Sequence, residues 1–277
     1  MSEIFFKSHE DDFKLFLGDV FDILPRLEYR FDMVFADPPY FLSNNGLTFS
    51  NGRITSVNKG EWDKGENIEQ IHNFNLEWIR LIKSVLKPEG TIWVSGTKHN
   101  IFSIGMALLE LGFRILNTVV WQKTNPPPNF SKRYFQHSNE IIIWAKIDNK
   151  SKHYFNYEQG LKMTGGKQLN DVWLLPAVLK WEKDCGKHPT QKPLPLLSRI
   201  ILTSSPENAL ILDPFTGSST TGIAANIYNR NFIGIDINRK YLEISKCRKE
   251  KLDVPKYKSF MKKKIEKIIY KSQKDLF

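Results

Sequence analysis

The feature that most constrains the fold is a short apolar run that ends in a rigid acidic turn. Residues 31–36 (FDMVFA) are followed by Asp37-Pro38-Pro39-Tyr40. Such a run is typical of a buried parallel strand, and open α/β sheets bind ligands where these strands end. Two successive prolines fix φ and remove two backbone donors. Because Asp and Pro also occur in ordinary turns, the tetrad predicts a functional site only if the chain contains a cofactor site too.

Apolar runs of strand length alternate with helical stripes along most of the chain. The seven predicted strands are residues 13–17, 31–36, 91–95, 115–121, 140–145, 209–212 and 232–235. The predicted helices are residues 20–27, 68–86, 100–111, 193–204, 217–228 and 239–251, followed by an amphipathic helix with Met261, Ile265, Ile268 and Ile269 on one side. This alternation predicts an α/β fold with a doubly wound, mostly parallel, seven-stranded Rossmann-like sheet.

Several classes of protein are disfavoured by the composition. No apolar stretch approaches the roughly 18 to 20 residues of a membrane span, and residues 1–10 lack a signal-peptide core, so a cytoplasmic location is expected. Cys185 and Cys247 lack partners at metal-ligand spacing, and the six histidines form no metal motif. We therefore expect neither a disulfide nor a metal site.

The formal charge of +10 is concentrated at the end of the chain. Residues 246–277 carry twelve basic and four acidic side chains, a net +8. Such a tail is either a solvated helix face or a source of sequence-independent attraction for phosphates, and the sequence leaves both interpretations open.

Three less regular segments are candidates for contact with a substrate. Residues 41–63 are rich in Gly and Asn and follow the Asp37 strand, which favours a lid. Residues 122–137 combine three prolines with aromatic and basic side chains, a composition suited to stacking and phosphate contact. Residues 146–185 are polar and aromatic, and we expect a small insertion outside the sheet.

A second strand-to-helix turn predicts the cofactor site. Residues 213–222 read DPFTGSSTTG, and Asp236 ends the next strand nineteen residues after Gly217. An acid at that place can accept both hydroxyls of a ribose. A Walker loop is absent, and Ser219 stands where a dinucleotide fold prefers Gly. Asp213 would repel a pyrophosphate and attract an ammonium, so S-adenosylmethionine is the cofactor that fits.

Together these motifs resemble the amino-methylating DNA methyltransferases of the β class. The resemblance rests on DPPY at residues 37–40, the loop at 213–221 with Asp236, and GKHPTQKP at 186–193, and it spans about residues 13–251. In that class the catalytic tetrad precedes the cofactor loop, a circularly permuted motif order that this chain shares. The stretches FADPPYFLSN, KGEWD and HYFNY are most similar to DpnA-type adenine methyltransferases, which modify GATC.

The resemblance implies a role for each motif. Asp37, Pro38, Pro39 and Tyr40 would be catalytic, with Tyr40 stacking on a flipped base. The cofactor-binding residues would be Asp19, Asp37, Thr190, Lys192, Asp213, Phe215, Gly217, Ser218 and Asp236. Asp19 would contact the adenine of the cofactor, Asp236 its ribose, and Asp213, Thr190 and Lys192 its methionine end.

The implied organisation is a single interrupted methyltransferase domain. Residues 1–145 would form the catalytic half, 146–185 a small target-recognition insertion, 186–251 the cofactor half and 252–277 a basic C-terminal helix. DNA is the implied partner, and the insertion at 146–185 would recognise bases. The implied DNA-binding residues are Tyr40, Lys123, Lys132, Arg133, Tyr157 and Trp173. A homodimer, and a restriction endonuclease related by function without physical contact, stay open.

Two alternatives to adenine methylation also stay open. The N4-cytosine enzymes share this chemistry but more often carry Ser at the first tetrad position, so Asp37 favours adenine. An inactive cofactor-binding or DNA-binding regulator is favoured only by Ser219, which stands where the family usually has Gly and is expected to narrow the cofactor groove. Cytosine C5 methylation is disfavoured because neither cysteine lies in a Pro-Cys loop.

Overall fold

The computed structural model describes residues 4–39, 47–50, 53–56 and 68–270. The strands are β1 (Ile4–Lys7), β2 (Phe13–Leu17), β3 (Phe31–Ala36), β4 (Leu47–Ser50), β5 (Arg53–Ser56), β6 (Leu86–Gly96), β7 (Arg114–Lys123), β8 (Asn139–Lys146), β9 (Val172–Leu175), β10 (Leu210–Asp213) and β11 (Asn231–Asp236). The helices are α1 (Val20–Ile23), α2 (Ile68–Val85), α3 (Ile101–Glu110), α4 (Tyr157–Thr164), α5 (Leu194–Ser204), α6 (Thr220–Ile227), α7 (Arg239–Leu252) and α8 (Pro255–Ile269).

Tyr40 and most of the predicted lid lie outside the described residues. Within residues 41–63 the described part is the backbone of β4 and β5, which pair antiparallel as a separate hairpin.

Within the described residues, nine strands form the main sheet in the order β1-β2-β11-β10-β3-β6-β8-β7-β9. The pairs β1/β2, β6/β8 and β7/β8 are antiparallel and the others are parallel. The prediction of a doubly wound, mostly parallel α/β sheet is confirmed. The predicted count of seven strands is wrong, because β1 and β9 each extend one edge.

The centre of the sheet is buried on both faces, which explains the nearly continuous apolar sequence of β3. Side chains alternate, so Met33 and Phe35 pack on one face and Val34 and Ala36 on the other. The first face is covered by helices α4 to α8, and the second by α1, α2 and α3. The hydrophobic cores on the two faces of the sheet therefore fix which side chains of β3 point to each face.

Parallel pairing brings three acidic strand ends to one edge of the sheet. β3 pairs with β10, with Met33 opposite Ile211 and Val34 opposite Leu212, and β10 pairs in turn with β11. Asp213 and Asp236 end β10 and β11, and Asp37 follows β3 directly. Motifs that are far apart in the sequence thus meet at the carboxyl edge of the sheet, where ligands bind in such folds.

The segment predicted to lie outside the sheet contributes to it. β9 pairs in parallel with β7, placing Trp173 opposite Trp121. Trp173 is 3% exposed, and its Nε1 donates to the Asn170 carbonyl at 2.8 Å. The centroid of its ring lies 5.2 Å from the guanidinium carbon of Arg199. The expectation failed because burial of a strand by its neighbours is a tertiary effect that the mixed local composition conceals.

Cys185 and Cys247 form a disulfide, contrary to the sequence expectation. Their Cα atoms are 5.9 Å apart although 62 positions separate them. The pair joins the segment before α5 to α7, and spacing along the chain cannot show such proximity.

Among the described helices, none has both the length and the apolar character that crossing a bilayer requires.

Candidate active site

A cavity of about 380 Å³ opens at the carboxyl edge of the sheet, a size usual for small-molecule sites. It is lined by the turn after β2, the turn after β3, one side chain of α2, the segment before α5, and the ends of β10 and β11 with the residues that follow them. Six segments of the chain therefore converge on it.

All nine residues predicted to bind the cofactor line this cavity. Asp37, Pro38 and Pro39 line it as well, whereas Tyr40 lies outside the described residues. The structure thus brings the proline turn and the cofactor loop to the two sides of one space. Contacts with a bound cofactor stay a prediction.

Asp37 is held by a lysine from a different motif. Lys192 donates from Nζ to Asp37 Oδ2 at 2.6 Å, and the lysine side chain is only 6% exposed. The same Nζ lies 3.4 Å from Glu140 Oε2, and Glu140 Oε1 pairs with Lys123 at 2.7 Å. The acceptor of the proline turn therefore belongs to a buried chain of alternating charges.

Asp213 is a buried carboxyl group at the base of the cavity. It accepts hydrogen bonds from Thr221 Oγ1 at 2.6 Å and from the Phe215 backbone at 3.1 Å. Burial raises the pKa of Asp213 to about 7, and the charges of Asp37 and Asp236 act in the same direction. A cation that enters the cavity would favour ionisation of this group.

Asp236 organises the opposite rim. Its carboxylate accepts from the Gly217 backbone and from the Asn238 backbone, both at 2.8 Å. Gly217 adopts φ +51°, and a Cβ there would lie 2.8 Å from His188 Nε2. The left-handed conformation and the close His188 ring together favour Gly at this position. A carboxylate has about four acceptor sites, so Asp236 retains capacity for ribose hydroxyls.

Ser219 does not narrow the groove as expected. It is fully buried and not among the residues that line the cavity. Its hydroxyl donates to Ser245 Oγ at 2.8 Å and accepts from Thr216 Oγ1 at 2.9 Å. With φ +53°, the residue adopts the left-handed conformation that favours Gly. The hydroxyl of Ser219, which stands where the family usually has Gly, is thus accommodated by a hydrogen bond to Ser245 on α7, on the side away from the cavity.

Sequence reasoning missed two side chains that support the site. Arg248 on α7 donates to the Ser218 carbonyl at 2.6 Å and to Thr220 Oγ1 at 3.0 Å. Asn100 donates to the Pro39 carbonyl at 3.3 Å and thereby holds the proline turn. Arg248 was indistinguishable from its neighbours in the basic tail. Asn100 resembled an ordinary residue at the start of a helix.

The predicted DNA-binding residues separate into two groups. Lys132, Arg133 and the half-exposed Tyr157 are on the surface, and Phe135 beside them is 95% exposed. Lys123 instead pairs with Glu140, and Trp173 lies in the core, where packing accounts for it. Lys132 and Arg133 follow β7, whose end lies at the same edge as Asp37, whereas Tyr157 begins α4 after β8, which ends at the opposite edge.

The residues of the cavity suit a cationic nucleoside. Its described lining includes four carboxyl groups, of Asp19, Asp37, Asp213 and Asp236, against the single ammonium of Lys192. This excess of acid fits the ammonium and sulfonium of S-adenosylmethionine better than a pyrophosphate. Within the described residues, no three His, Cys, Asp or Glu side chains are grouped so as to hold a metal ion.

The raised pKa of Asp213 predicts pH-dependent cofactor binding. An incoming ammonium favours the ionised carboxylate, so below pH 7 binding releases a proton. We expect the Kd for S-adenosylmethionine to fall by about tenfold between pH 5.5 and 7. Calorimetry in buffers of different ionisation enthalpy measures both quantities. Asp213→Asn should weaken binding and remove the pH dependence. A dependence that persists in this variant would assign the proton to another group, such as Asp236.

The same raised pKa makes the stability of the fold decrease with pH, whereas the affinity for the cofactor increases. The folded protein binds a proton at Asp213 that the unfolded chain releases near its ordinary pKa of 3.8. In the cofactor-free protein this group therefore lowers the free energy of unfolding as the pH rises from about 4 to about 7.

The geometry of the cofactor loop predicts opposite results at neighbouring positions. Ser219→Gly removes a side chain directed away from the cavity, and we expect the Kd for S-adenosylmethionine to change by less than about twofold. Gly217→Ala forces a Cβ against His188 and should raise the Kd by about tenfold or more. Titration of both variants against the parent protein tests this. Equal effects at the two positions would contradict the assigned geometry.

Comparison with known proteins agrees with this geometry. The family model of N6/N4 methyltransferases, described as DNA methylase, matches residues 31–247. The chain is 54% identical over 266 residues to the Type II methyltransferase M2.MboI of Moraxella bovis, covering 96% of this chain and 97% of that protein. It is 55% identical over 235 residues to the Type II methyltransferase M2.DpnII of Streptococcus pneumoniae, covering 84% and 88%.

Solved structures show the same relationship. The complex of M1.HpyAVI with S-adenosylmethionine has a TM-score of 0.61 and 28% identity, covering 85% of this chain and 98% of that one. The cytosine-N4-specific PvuII DNA methyltransferase, at 17% identity, has a TM-score of 0.70 over 96% of this chain and 94% of its own, a likeness of fold alone. With the family match spanning most of the sequence, the chain belongs to the N6/N4 DNA methylases and is an S-adenosylmethionine-dependent DNA methyltransferase.

Proposed function

We propose that the enzyme methylates N6 of adenine in double-stranded DNA, within the sequence GATC. The observation that carries this proposal is that Asp37 and the loop from Asp213 to Ser218 line one cavity. A hydrogen-bond acceptor for an amine and a site for a methyl donor are therefore within reach of each other.

Methyl transfer depends mainly on how the amine of adenine is oriented toward the methyl donor. The amino lone pair of adenine is delocalised into the ring, so the amine is a poor nucleophile. Hydrogen bonds from N6 to Asp37 and to the Pro38 carbonyl would favour a pyramidal nitrogen directed at the methyl group. The new N–C bond forms as the C–S bond breaks, and the electron pair stays on sulfur. The methylated nitrogen then loses a proton, for which Asp37 is an acceptor.

Adenine is favoured over cytosine by the first residue of the tetrad. Asp37 is the residue that the resemblance associates with adenine, whereas N4-cytosine enzymes more often carry Ser. GATC is supported by the stretches shared with DpnA-type enzymes. One of them contains Phe155 and Tyr157, which are partly exposed.

A target base inside a duplex has to be flipped out to reach Asp37. Residues 124–138 leave the carboxyl edge between β7 and β8 and present Lys132, Arg133 and Phe135 to solvent. The loop is tied to itself by Asn129, which bonds to the Tyr134 carbonyl and to the Ser131 backbone, and by Gln136, which donates to the Pro127 carbonyl at 2.8 Å. A loop that is ordered in advance loses less entropy when it binds the backbone of DNA.

The roles of the cofactor residues follow the resemblance. Asp19 contacts the adenine of the cofactor, Asp236 its ribose, and Asp213, Thr190 and Lys192 its methionine end. Their common place around the cavity supports these assignments.

The biological setting follows from the substrate. The named relatives come from bacteria, in which DNA lies in the cytoplasm, and this supports a cytoplasmic location. The relatives are named Type II methyltransferases, which supports a restriction endonuclease whose cutting this methylation blocks. A homodimer is the assembly that the family resemblance suggests.

The first test is incubation with S-adenosylmethionine and unmethylated plasmid, followed by long-read mapping of modified bases. We expect N6-methyladenine at GATC and its loss in Asp37→Ala, because this variant lacks the acceptor for the amine. N4-methylcytosine would support the cytosine alternative. No modified base, with cofactor binding intact, would support the inactive regulator. Full activity in Asp37→Ala would overturn the mechanism.

The second test concerns the loop between β7 and β8. If Lys132 and Arg133 contact phosphates, their joint replacement by Ala should weaken binding to all DNA sequences alike. The slope of log K against log salt should fall by about 2. Arg26 and Arg30, which are exposed and precede β3 at the opposite edge of the sheet, provide a matched double replacement. Equal slopes for the parent and the Lys132/Arg133 variant would exclude phosphate contact.

A further inference from the structure

Glu140 at the start of β8 lies between two lysines. Its Oε1 pairs with Lys123, whereas the buried Oε2 has no hydrogen-bond partner within the described parts of the chain and lies 3.4 Å from Lys192 Nζ. Burial raises the pKa of Glu140, but the charges of Lys192 and Lys123 outweigh this effect and the net pKa is lowered. Glu140 is therefore a buried carboxylate ion with one oxygen positioned to accept.

Lys192 now occupies the acceptor that the reaction needs. Its Nζ lies 2.6 Å from Asp37 Oδ2, the group to which an adenine amine would donate. An ammonium on that oxygen takes up one acceptor site and draws negative charge away from the carboxylate, which weakens Asp37 as an acceptor for the amine. It also repels the positive charge that develops on the nitrogen as the methyl group is transferred. Lys192 therefore has to be drawn away from Asp37 in the reacting complex.

We infer that Glu140 is a positioning residue, which receives the ammonium of Lys192 when the substrate amine takes its place at Asp37. The inference rests on the proposed role of Asp37 as the acceptor for the amine. Closing the 3.4 Å gap to the about 2.8 Å of a charge-assisted hydrogen bond needs a movement of less than about 1 Å. The ammonium thus stays paired and buried throughout.

Lys123 determines which oxygen of Glu140 faces Lys192. It lies on β7, which pairs antiparallel with β8, and it binds Oε1 at 2.7 Å. With this oxygen fixed, Oε2 is the one left to face Lys192. The function of Lys123 is then to hold Glu140 in place, in contrast to the phosphate contact predicted from sequence.

The test compares Glu140→Gln with a control at the other edge of the sheet. Asp32→Asn neutralises a carboxylate that also pairs with a lysine of a neighbouring strand, Lys87 at 2.8 Å. In single-turnover methylation, with the cofactor and cognate duplex bound in advance, we expect Glu140→Gln to slow methyl transfer on the order of 100-fold. The Kd for S-adenosylmethionine should change by less than about threefold, and Asp32→Asn should match the parent rate.

A binding measurement distinguishes the loss of this positioning from a general disturbance of the structure. The probes are two duplexes with the mapped target sequence, one with adenine and one with purine, which lacks the amino group, at the target position. In the presence of S-adenosylhomocysteine the parent protein should prefer adenine by about tenfold, since only adenine donates to Asp37. In Glu140→Gln, Lys192 stays on Asp37 and the preference should fall toward one.

The outcomes decide between the inference and the proposed function. A parent rate in Glu140→Gln, or a slow rate with unchanged adenine preference, overturns the positioning role alone. Full activity in Asp37→Ala overturns the proposed function itself. If Glu140→Gln does not fold, Glu140→Asp replaces it, since this variant keeps the charge but withdraws it from Lys192. It should be slowed in the same way, and a parent rate there overturns the inference.

Discussion

The parallel pairing of β3 with β10 is the constraint on which the site depends. It brings the end of the strand before Asp37 next to the end of the strand that carries Asp213, and β11 adds Asp236 on the far side of β10. Three carboxyl groups near one cavity are mutually repulsive. Burial together with this repulsion raises the pKa of Asp213 to about 7. The cavity is thereby poised to accept a cation, which is the charge of the methyl donor.

The lysine and the buried arginine complete this electrostatic arrangement from opposite sides. Lys192 neutralises Asp37 inside the cavity, while Arg248 holds the cofactor loop from beneath through Ser218 and Thr220. Burial lowers the pKa of Arg248 to about 10, so the guanidinium remains charged at neutral pH. Because α7 also supplies Ser245 to bond Ser219, one helix fixes the loop that would otherwise need Gly at that position.

Charge is divided between the interior of the site and its rim. The cavity is acidic, which suits the cationic donor, whereas exposed residues at the same edge include Lys132 and Arg133, which suit phosphates. The net +8 of the last thirty-two residues lies mostly on α7 and α8 and the segment after them. Part of it is structural: Arg248 and Lys249 are buried, and Lys249 pairs with Asp12 at 2.9 Å. A count of basic residues therefore overstates the surface available to DNA.

The sequence by itself determined the alternating fold, the two strand-to-helix turns and their order, because turn chemistry and hydrophobic periodicity are local properties. With the family resemblance, which supplied the roles of Asp19, Thr190 and Lys192, it predicted nine of the residues that line the cavity. Only the tertiary structure decided which residues support them. The strand β9, the Cys185–Cys247 pair, the direction of the Ser219 side chain and the link from Glu140 through Lys192 to Asp37 all join segments distant in sequence. Such contacts depend on packing between elements, and no local pattern encodes them.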